Sequence, residues 1–262
     1  MERKPPQAAK GPRTEAATET LPFPKRPPPG RSLLSKPAIL HHLKAGDIVV
    51  DPLDESCIGS DGIDVRLGAN LWEQVPPEPN AGPLNPFDRE QVLAHWRLVK
   101  PDRAGDYMER EKRKLVSIDR DDLIFIPKPR QLHLAHTEEF AGGYVCIATS
   151  VHARSSSGRS GITVCSCSDK VGVNYVNRLT LELRADLLRP EILVVGMRIA
   201  ALSFYLVDPV EPKDGYRGKY ITAGGLAEVK RRWDSRDMLP RFDSDHETKD
   251  GFPRPHDLRL VR

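Results

Sequence analysis

Short runs of β-branched and apolar residues follow one another closely from about residue 123 onward, and no helical period runs through them. Pro, Gly or Asn separates successive runs, which is typical of strands joined by tight turns. The runs occupy residues 123–126, 132–135, 144–149, 162–167, 179–183, 192–195 and 199–207. This pattern predicts an all-β barrel or sandwich over roughly residues 45–210.

A short helix and two strands are predicted ahead of these runs. Ser35 can cap the helix, Pro37 is tolerated in its first turn, and Gly46 can terminate it. Residues 47–52 then read as a short strand that ends at a proline, and residues 63–67 alternate apolar with charged side chains. Such alternation indicates a strand with one face in solvent.

Three regions do not fit the strand pattern. Residues 1–31 contain eight prolines and almost no large aliphatic residue, so we expect a disordered leader. Residues 75–114 contain six prolines and too few aliphatic residues for a core, which predicts an insertion loop within the domain formed by residues 32–226. Residues 227–262 carry nine basic and eight acidic residues, and we expect a charged, mostly solvated extension after a short helix near its start.

The composition argues against several classes of protein. The 40 basic and 37 acidic residues leave a net charge of +3, too balanced for a general nucleic-acid-binding protein that neutralises phosphates. The chain has neither a long apolar run nor an apolar N-terminal signal, so we expect a cytoplasmic protein that does not bind membranes. Its four cysteines do not make a disulfide scaffold, and reduced thiols are expected.

One motif suggests a zinc site but lacks the required spacing. His136, Thr137 and Glu138 form the H-x-E sequence that zinc nucleobase deaminases use, and Cys165 and Cys167 follow downstream. That chemistry needs two thiolates from a Pro-Cys-x-x-Cys turn, whereas these cysteines are two residues apart with no preceding proline. The sequence therefore favours packed thiols, and no metal site is predicted.

A serine- and glycine-rich segment, residues 153–161, is the most unusual local feature of the chain. Three consecutive hydroxyl groups, Ser155 to Ser157, lie between Arg154 and Arg159. Hydroxyls and backbone amides can donate to phosphate oxygens, and a guanidinium can donate two parallel hydrogen bonds. The segment is consistent with a polyanion site and, equally, with a flexible polar loop.

A carboxylate follows on a predicted strand. Thr180 and Glu182 alternate with Leu179, Leu181 and Leu183, so the polar pair projects from one face while the leucines enter the core. This places Glu182 on a rigid element. A single glutamate on a strand is more often simply solvated, so the residues by themselves leave its role open.

Taken together and in this order, the motifs resemble the dCTP deaminase family of the dUTPase-like superfamily. The interval of 27 residues between Ser155 and Glu182 is the one that the family uses. The resemblance leaves both termini and the insertion at residues 75–114 unmatched. The matching motifs, which include I-D-V-R-L-G, R-S-S-S-G-R-S-G, T-L-E-L and G-M-R-I, lie within residues 35–52, 63–68, 125–139, 154–161, 180–183 and 190–204.

The resemblance implies a fold, an assembly and a reaction. The fold would be a distorted jelly-roll barrel of the dUTPase-like (β-clip) type, assembled as a homotrimer with shared active sites. The reaction would be hydrolysis of dCTP to dUTP and ammonia without a catalytic metal. Glu182 would act as general acid and base on a water that attacks C4 of cytosine, with Arg159 stabilising charge and Ser155 orienting the water or the ring.

The resemblance also implies how the nucleotide is held. Tyr216 and the Lys219-Tyr220 pair resemble a mobile segment that closes over a triphosphate, and Mg²⁺ would arrive with that triphosphate. The other expected binding residues are Arg154, Ser156, Ser157 and Gly158 at the phosphates, Thr180 and Leu181 at the base, and Tyr175 beneath the sugar.

The chain departs from the family pattern at three places. The aspartate of the family's D-P-G-[FW]-x-G turn is Gly172 here, although the aromatic residue is retained as Tyr175. Ser168 replaces a small alanine, and residues 223–225 stand where a glutamine is expected. A dUTPase-type pyrophosphatase activates its water with the missing aspartate, so deamination without pyrophosphate release is favoured.

Two alternatives remain open at this stage. One is a protein of the same fold that binds nucleotide or acts as a scaffold after losing turnover, because the sugar-binding turn is altered. The other concerns the substrate, since dCMP, CTP or a modified cytosine nucleotide would also suit the motifs.

Overall fold

The computed structural model describes residues 32–166, 168–186, 188–211, 214–220, 224–245 and 251. The predicted leader, residues 1–31, and residues 252–262 of the predicted extension lie outside the described residues. None of the helices in the described part of the chain has the length and apolar character needed to cross a bilayer.

Strands dominate the described residues, as the spacing of apolar runs predicts. The helices are α1 (Lys36–Ala45), α2 (Arg89–His95), α3 (Ala104–Glu111), α4 (Ser155–Arg159) and α5 (Leu226–Arg232). The strands are β1 (Ser32–Leu33), β2 (Ile48–Asp51), β3 (Ile63–Arg66), β4 (Leu71–Gln74), β5 (Trp96–Val99), β6 (Asp102–Arg103), β7 (Leu123–Phe125), β8 (Leu132–Gly143), β9 (Ile147–Ala153), β10 (Ile162–Thr163), β11 (Lys170–Val171), β12 (Tyr175–Ala185), β13 (Leu193–Val194) and β14 (Arg198–Leu206).

The strands form three antiparallel sheets. One has the order β1-β14-β9-β11 with β3 also paired to β14, and the second has the order β10-β12-β8-β4-β5 with β2 also paired to β8. The third contains β13, β7 and β6. The prediction of a mostly-β fold is confirmed, whereas the described strands do not close into a single barrel.

The core lies between these sheets and contains the alternating apolar positions of the strands. Leu179, Leu181 and Leu183 of β12 are buried, whereas Thr180 is exposed and Glu182 is half-buried, as the period-two pattern predicts. Phe125 of β7 and Phe204 of β14 are among the largest side chains that are fully buried in the same cluster.

The predicted N-terminal helix is confirmed as α1. Ser35 is its N-cap residue with extended backbone, and Pro37 lies in the first turn, where a missing N–H costs nothing. Gly46 ends the helix at φ 83°, and its N–H donates to the carbonyl groups of His42 and Leu43. A residue with a side chain would be strained at this φ, which explains the glycine.

The region predicted as an insertion loop contains regular structure. Its helix α2 begins after Asp88, whose carboxylate accepts from the backbone N–H groups of Glu90 and Gln91. Strand β5 pairs with β4, and Val92 and Trp96 are buried against Trp72 in a second apolar cluster. Two aromatic rings from distant parts of the chain thus supply the burial that local aliphatic residues do not.

The C-terminal segment, which we define as residues 224–245, also packs on the protein instead of being mostly solvated. Met238 and Leu239 are buried in the same second cluster as Trp72. The indole Nε1 of Trp72 donates to the carbonyl oxygen of Ser235 at 3.0 Å. These contacts anchor the segment on the sheet that contains β4 and β8, and Trp233 packs against the same cluster.

A buried histidine joins this segment to β8. The His136 ring lies 4.8 Å from that of Trp233, its Nδ1 is 2.7 Å from the Thr137 carbonyl oxygen, and its Nε2 lies 3.3 Å from the Asn70 backbone nitrogen. These contacts suit a neutral ring whose Nδ1 donates and whose Nε2 accepts. Burial, with a smaller contribution from Arg178, lowers the pKa of His136 from 6.5 to about 4.

We therefore expect acid to destabilise the fold through His136. In the unfolded chain this histidine binds a proton as pH falls below about 6.5, whereas in the folded protein it stays neutral until about pH 4. The free energy of unfolding should fall by up to about 3 kcal/mol over that interval. Urea unfolding between pH 7 and 4 measures the free energy of unfolding as a function of pH. His136→Gln should flatten this dependence, whereas His41→Gln, a change at an exposed histidine, should not. Identical pH profiles for both variants would contradict the assignment.

Candidate active site

The serine-rich segment folds into a single helical turn. Helix α4 begins after Arg154, and the side chains of Ser155, Ser156 and Arg159 are exposed. Ser157, which the resemblance assigns to the phosphates, is instead buried, and its Oγ donates to the Ile199 carbonyl oxygen at 2.9 Å. The Ser157 hydroxyl thus ties α4 to β14, while its neighbours present theirs to solvent.

Arg154 is fixed by a carboxylate from another strand. Its Nε lies 2.9 Å from Oδ2 of Asp64 in β3, and its Nη1 donates to the Arg198 carbonyl oxygen at 3.2 Å. The side chain of Arg198 contacts the same Asp64 oxygen at 3.2 Å. Asp64 therefore holds two guanidinium groups at one end of α4, a role that sequence spacing did not reveal.

Glu182 lies on β12 and accepts a hydrogen bond from the protein backbone. Its Oε2 is 3.0 Å from the amide nitrogen of Ser166, in the loop after β10. The bond fixes one carboxylate oxygen, while the side chain stays partly exposed. No side-chain signal in the sequence could identify Ser166 as a partner, because the donor is its backbone N–H.

An irregularity in β12 lies directly before the site. The register between β12 and β8 shifts between Arg178 and Thr180, and the Leu179 N–H donates to Thr137 Oγ1 at 2.9 Å instead of to a strand partner. Such bulges re-aim the following side chains. Thr137, part of the apparent zinc motif, thus accepts a hydrogen bond from the backbone N–H directly before Thr180.

We expect that Ser166 positions Glu182 through its backbone N–H. Ser166→Pro removes that donor, and kcat should fall by roughly tenfold, because one charge-assisted hydrogen bond contributes about 1.5 kcal/mol. Ser166→Ala retains the N–H and should keep kcat within about twofold of the wild type. Release of ammonia from dCTP, the reaction that the resemblance implies, measures both, and unfolding midpoints exclude a general loss of structure. A Ser166→Ala effect as large as that of Ser166→Pro would assign the role to the hydroxyl instead.

A cleft of about 550 Å³ opens beside the serine-rich segment. Gly158 and Gly161 line one part of it, and Ser166, Asp169 and Asp186 line another. The cleft thus adjoins both α4 and the loop that binds Glu182. Gly158 is exposed and Gly161 is partly exposed, and neither has a side chain, so a ligand can approach the main chain closely there.

Arg159 and Glu182 do not meet within one chain. Neither a hydrogen bond nor an ion pair joins them in the part of the chain that the structure describes. Arg159 lies at the end of α4 with an exposed side chain, whereas Glu182 faces Ser166. The pair that the motifs imply, Glu182 with Arg159, is therefore not formed by contacts among the described residues of this chain.

The altered sugar turn brings two tyrosines together. The rings of Tyr175 and Tyr216 meet edge to face with centroids 5.0 Å apart. A Cβ atom at position 172 would lie 3.3 Å from the Cβ of Tyr216 and 3.4 Å from its ring, so the missing side chain of Gly172 leaves room for this ring. Burial raises the pKa of both Tyr175 and Tyr216.

Lys219, the cation expected at the triphosphate, has an acidic partner in the C-terminal segment. Its Nζ lies 2.6 Å from Oδ1 of Asp245 and 4.9 Å from the centre of the Phe242 ring. The carbonyl oxygen of Lys219 also accepts from Arg241 Nη1 at 3.0 Å. No signal in the sequence identifies these partners, because they lie in a stretch where charged residues are common.

The thiols and the H-x-E motif take part in packing. Cys57 and Cys146 carry free thiols, and burial raises the pKa of each. Among the described residues, no group of three or more His, Cys, Asp or Glu side chains could hold a metal ion. Cys167, one of the two cysteines downstream of the H-x-E motif, lies outside the described residues.

Comparison with known proteins identifies the family. Residues 33–207 match the family model described as dCTP deaminase-like. A dUMP-forming dCTP deaminase from Methanobrevibacter smithii is 30% identical over 175 residues, which are 66% of this chain and 79% of that protein. The corresponding protein from Methanopyrus kandleri is 33% identical over 187 residues, covering 69% of this chain and 85% of that one.

Two further similarities come from an archaeal deaminase and a solved structure. A dCTP deaminase from Haloarcula marismortui is 29% identical over 174 residues, which cover 66% of this chain and 79% of that one. The crystal structure of 2′-deoxycytidine 5′-triphosphate deaminase from Agrobacterium tumefaciens aligns with a TM-score of 0.47 and 17% identity, over 67% of this chain and 48% of that one. The chain belongs to the dCTP deaminase-like family, which confirms the resemblance found in its motifs.

Proposed function

We propose that this chain is a hydrolytic deaminase that converts dCTP to dUTP and ammonia, with Glu182 as general acid and base. The observation that carries the proposal is the placement of Glu182: a partly exposed carboxylate on a rigid strand, bonded to Ser166 beside a cleft that adjoins the serine-rich segment. Family membership and the deaminase names of the relatives support the substrate class.

The proposed chemistry needs one group that alternates between two protonation states. The Glu182 carboxylate takes a proton from water, and the resulting hydroxide adds to C4 of the cytosine ring. The carboxyl group gives this proton to N3 of the ring. It then takes the proton of the new C4 hydroxyl and passes it to the amino group, which leaves as ammonia while C4 becomes a carbonyl. One carboxyl group can serve both steps, because it acts as a base toward water and as an acid toward the intermediate.

We further propose a homotrimer of dUTPase-like jelly-roll barrels in which Arg159 of one subunit completes the site of its neighbour. Two features of the single chain support this arrangement. Arg159 is exposed and forms no ion pair among the described residues, and the hydroxyls of Ser155 and Ser156 are exposed beside it. A guanidinium close to Glu182 would stabilise the charge that develops during addition, and Ser155 would orient the water.

The nucleotide would be held by the groups around the cleft. Arg154, already oriented by Asp64, and Ser156 would bind the phosphates together with the backbone at Gly158, and Mg²⁺ would arrive on the triphosphate. Ser157 would contribute to phosphate binding only indirectly, because its hydroxyl already donates to the Ile199 carbonyl oxygen of β14. The backbone of Thr180 and Leu181 would face the base.

Product identity separates the candidate functions. The Methanobrevibacter and Methanopyrus relatives are named dUMP-forming, which favours a second activity that removes pyrophosphate. Gly172 argues against it here, because glycine offers no carboxylate to activate a second water. We therefore propose dUTP as the product, with dUMP formation as the second candidate.

Chromatography of nucleotides after incubation with dCTP and Mg²⁺ tests these candidates together. The proposal expects dUTP and ammonia in equal amounts with no pyrophosphate. Appearance of dUMP with pyrophosphate would establish the second candidate instead. Nucleotide binding without any release of ammonia would identify a binding protein or scaffold, and a parallel panel of dCMP and CTP would define the substrate.

A further inference from the structure

We propose that residues 235–245 form an intramolecular competitor of the nucleotide, which holds the segment of residues 214–220 in the sugar and phosphate subsites. The inference rests on the proposed function, together with the places that the resemblance implies for Tyr175, beneath the sugar, and for Lys219, at the triphosphate. It concerns residues that follow the part of the chain matched by the family model, residues 33–207.

The competitor is anchored on the sheet. Met238 and Leu239 are buried in the second apolar cluster, and the Pro240 carbonyl oxygen accepts from Arg89 Nη1 at 2.9 Å. The backbone of Ser235 accepts from Trp72 Nε1. These contacts fix the position of the residues that come next, so that Arg241 and Asp245 project from a supported element.

From this anchor, three contacts reach the segment of residues 214–220. The Arg241 N–H donates to the Tyr220 hydroxyl oxygen at 3.2 Å, and Arg241 Nη1 donates to the Lys219 carbonyl oxygen at 3.0 Å. The Asp245 carboxylate pairs with Lys219 Nζ at 2.6 Å. Asp237 in turn pairs with the Arg241 guanidinium. A carboxylate therefore takes the position on Lys219 that a phosphate oxygen would need.

The same segment covers the residue expected beneath the sugar. Tyr216 meets the ring of Tyr175 and packs against Gly172, and its N–H donates to the Val173 carbonyl oxygen at 3.0 Å. A deoxyribose could reach Tyr175 only after the Tyr216 ring moves away. Sugar and phosphate binding would thus both require displacement of contacts that the chain makes with itself, and the two displacements are coupled through one short segment.

Calorimetric titration of the Asp245→Asn variant tests the proposal. The measurements are made in the Glu182→Gln background, so that dCTP binds without turnover, and Asp214→Asn serves as control. Asp214 lies in the segment of residues 214–220, as Lys219 does, and carries the same charge as Asp245. It has no ion pair among the described residues. Asp245→Asn should bind dCTP about twofold to fivefold more tightly, the range for a partly exposed ion pair. Its affinity for dCMP, which lacks the outer phosphates, should change less.

A second variant makes the sign of the effect decisive. Arg241→Ala removes the side-chain hydrogen bond to the Lys219 carbonyl oxygen and the ion pair with Asp237, while its backbone N–H can still donate to Tyr220. It too should tighten dCTP binding. Weaker binding by either variant, or an effect of Asp214→Asn equal to that of Asp245→Asn, would overturn the competitor. If neither the parent protein nor any variant binds a cytosine nucleotide, the proposed function itself fails.

Discussion

Glu182→Gln is expected to lower kcat for dCTP deamination by at least about 10³-fold and to leave nucleotide binding within about threefold of the wild type. The amide oxygen of glutamine can still accept from the Ser166 N–H, so the geometry of the side chain is retained. What the variant loses is the ability to take a proton from water and return it to the leaving ammonia. The loss should therefore appear in kcat and not in the dissociation constant.

Ammonia release at saturating dCTP and calorimetric binding measure the two quantities separately. Asp186→Asn is the matched control, because Asp186 is an exposed carboxylate that lines the cleft together with Ser166, the partner of Glu182. If a carboxylate near the cleft is not by itself required for turnover, kcat of Asp186→Asn should differ from that of the wild type by less than about threefold. Full activity of Glu182→Gln would remove the proposed mechanism, and loss of binding with the same variant would assign Glu182 to substrate recognition instead.

The sequence was sufficient to predict elements whose burial depends on local spacing. The alternation of Leu179 to Leu183 with Thr180 and Glu182 is a property of strand geometry, so it holds whichever strands pair with β12. The same is true of α1, where Ser35, Pro37 and Gly46 act on their own backbone. Both elements are therefore predictable from local signals, whichever segments pack against them.

Contacts between distant segments could not be predicted in this way. Trp72, Trp96 and Met238 are separated by long stretches of chain, yet they share one apolar cluster, and a count of local aliphatic residues misses it. Ser157 is another case, since only the approach of Ile199 turns its hydroxyl toward the interior. The ion pair between Lys219 and Asp245 could not be predicted either, because nothing in the sequence distinguishes Asp245 from the other acidic residues of the extension.

The proposed division of the site between subunits leads to the prediction with the second largest expected effect. Arg159→Ala should lower kcat by roughly 10²- to 10³-fold, since it removes a cation that would act chiefly when charge develops in the transition state. Arg159 forms no ion pair with another described residue and lies on an exposed turn, so this variant should leave the unfolding midpoint unchanged.

Co-expression of Arg159→Ala with Glu182→Gln should restore activity that neither variant has alone. If each site takes Glu182 from one subunit and Arg159 from its neighbour, about one site in four of the whole random population, and one site in three of each mixed trimer, contains both intact residues. Two different affinity tags isolate the mixed oligomers, and ammonia release per subunit gives the recovered fraction. Oligomers that carry a single variant under both tags serve as controls. A mixed oligomer as inactive as these controls would show that the two residues do not meet across a subunit contact, and Glu182 would then need another cation.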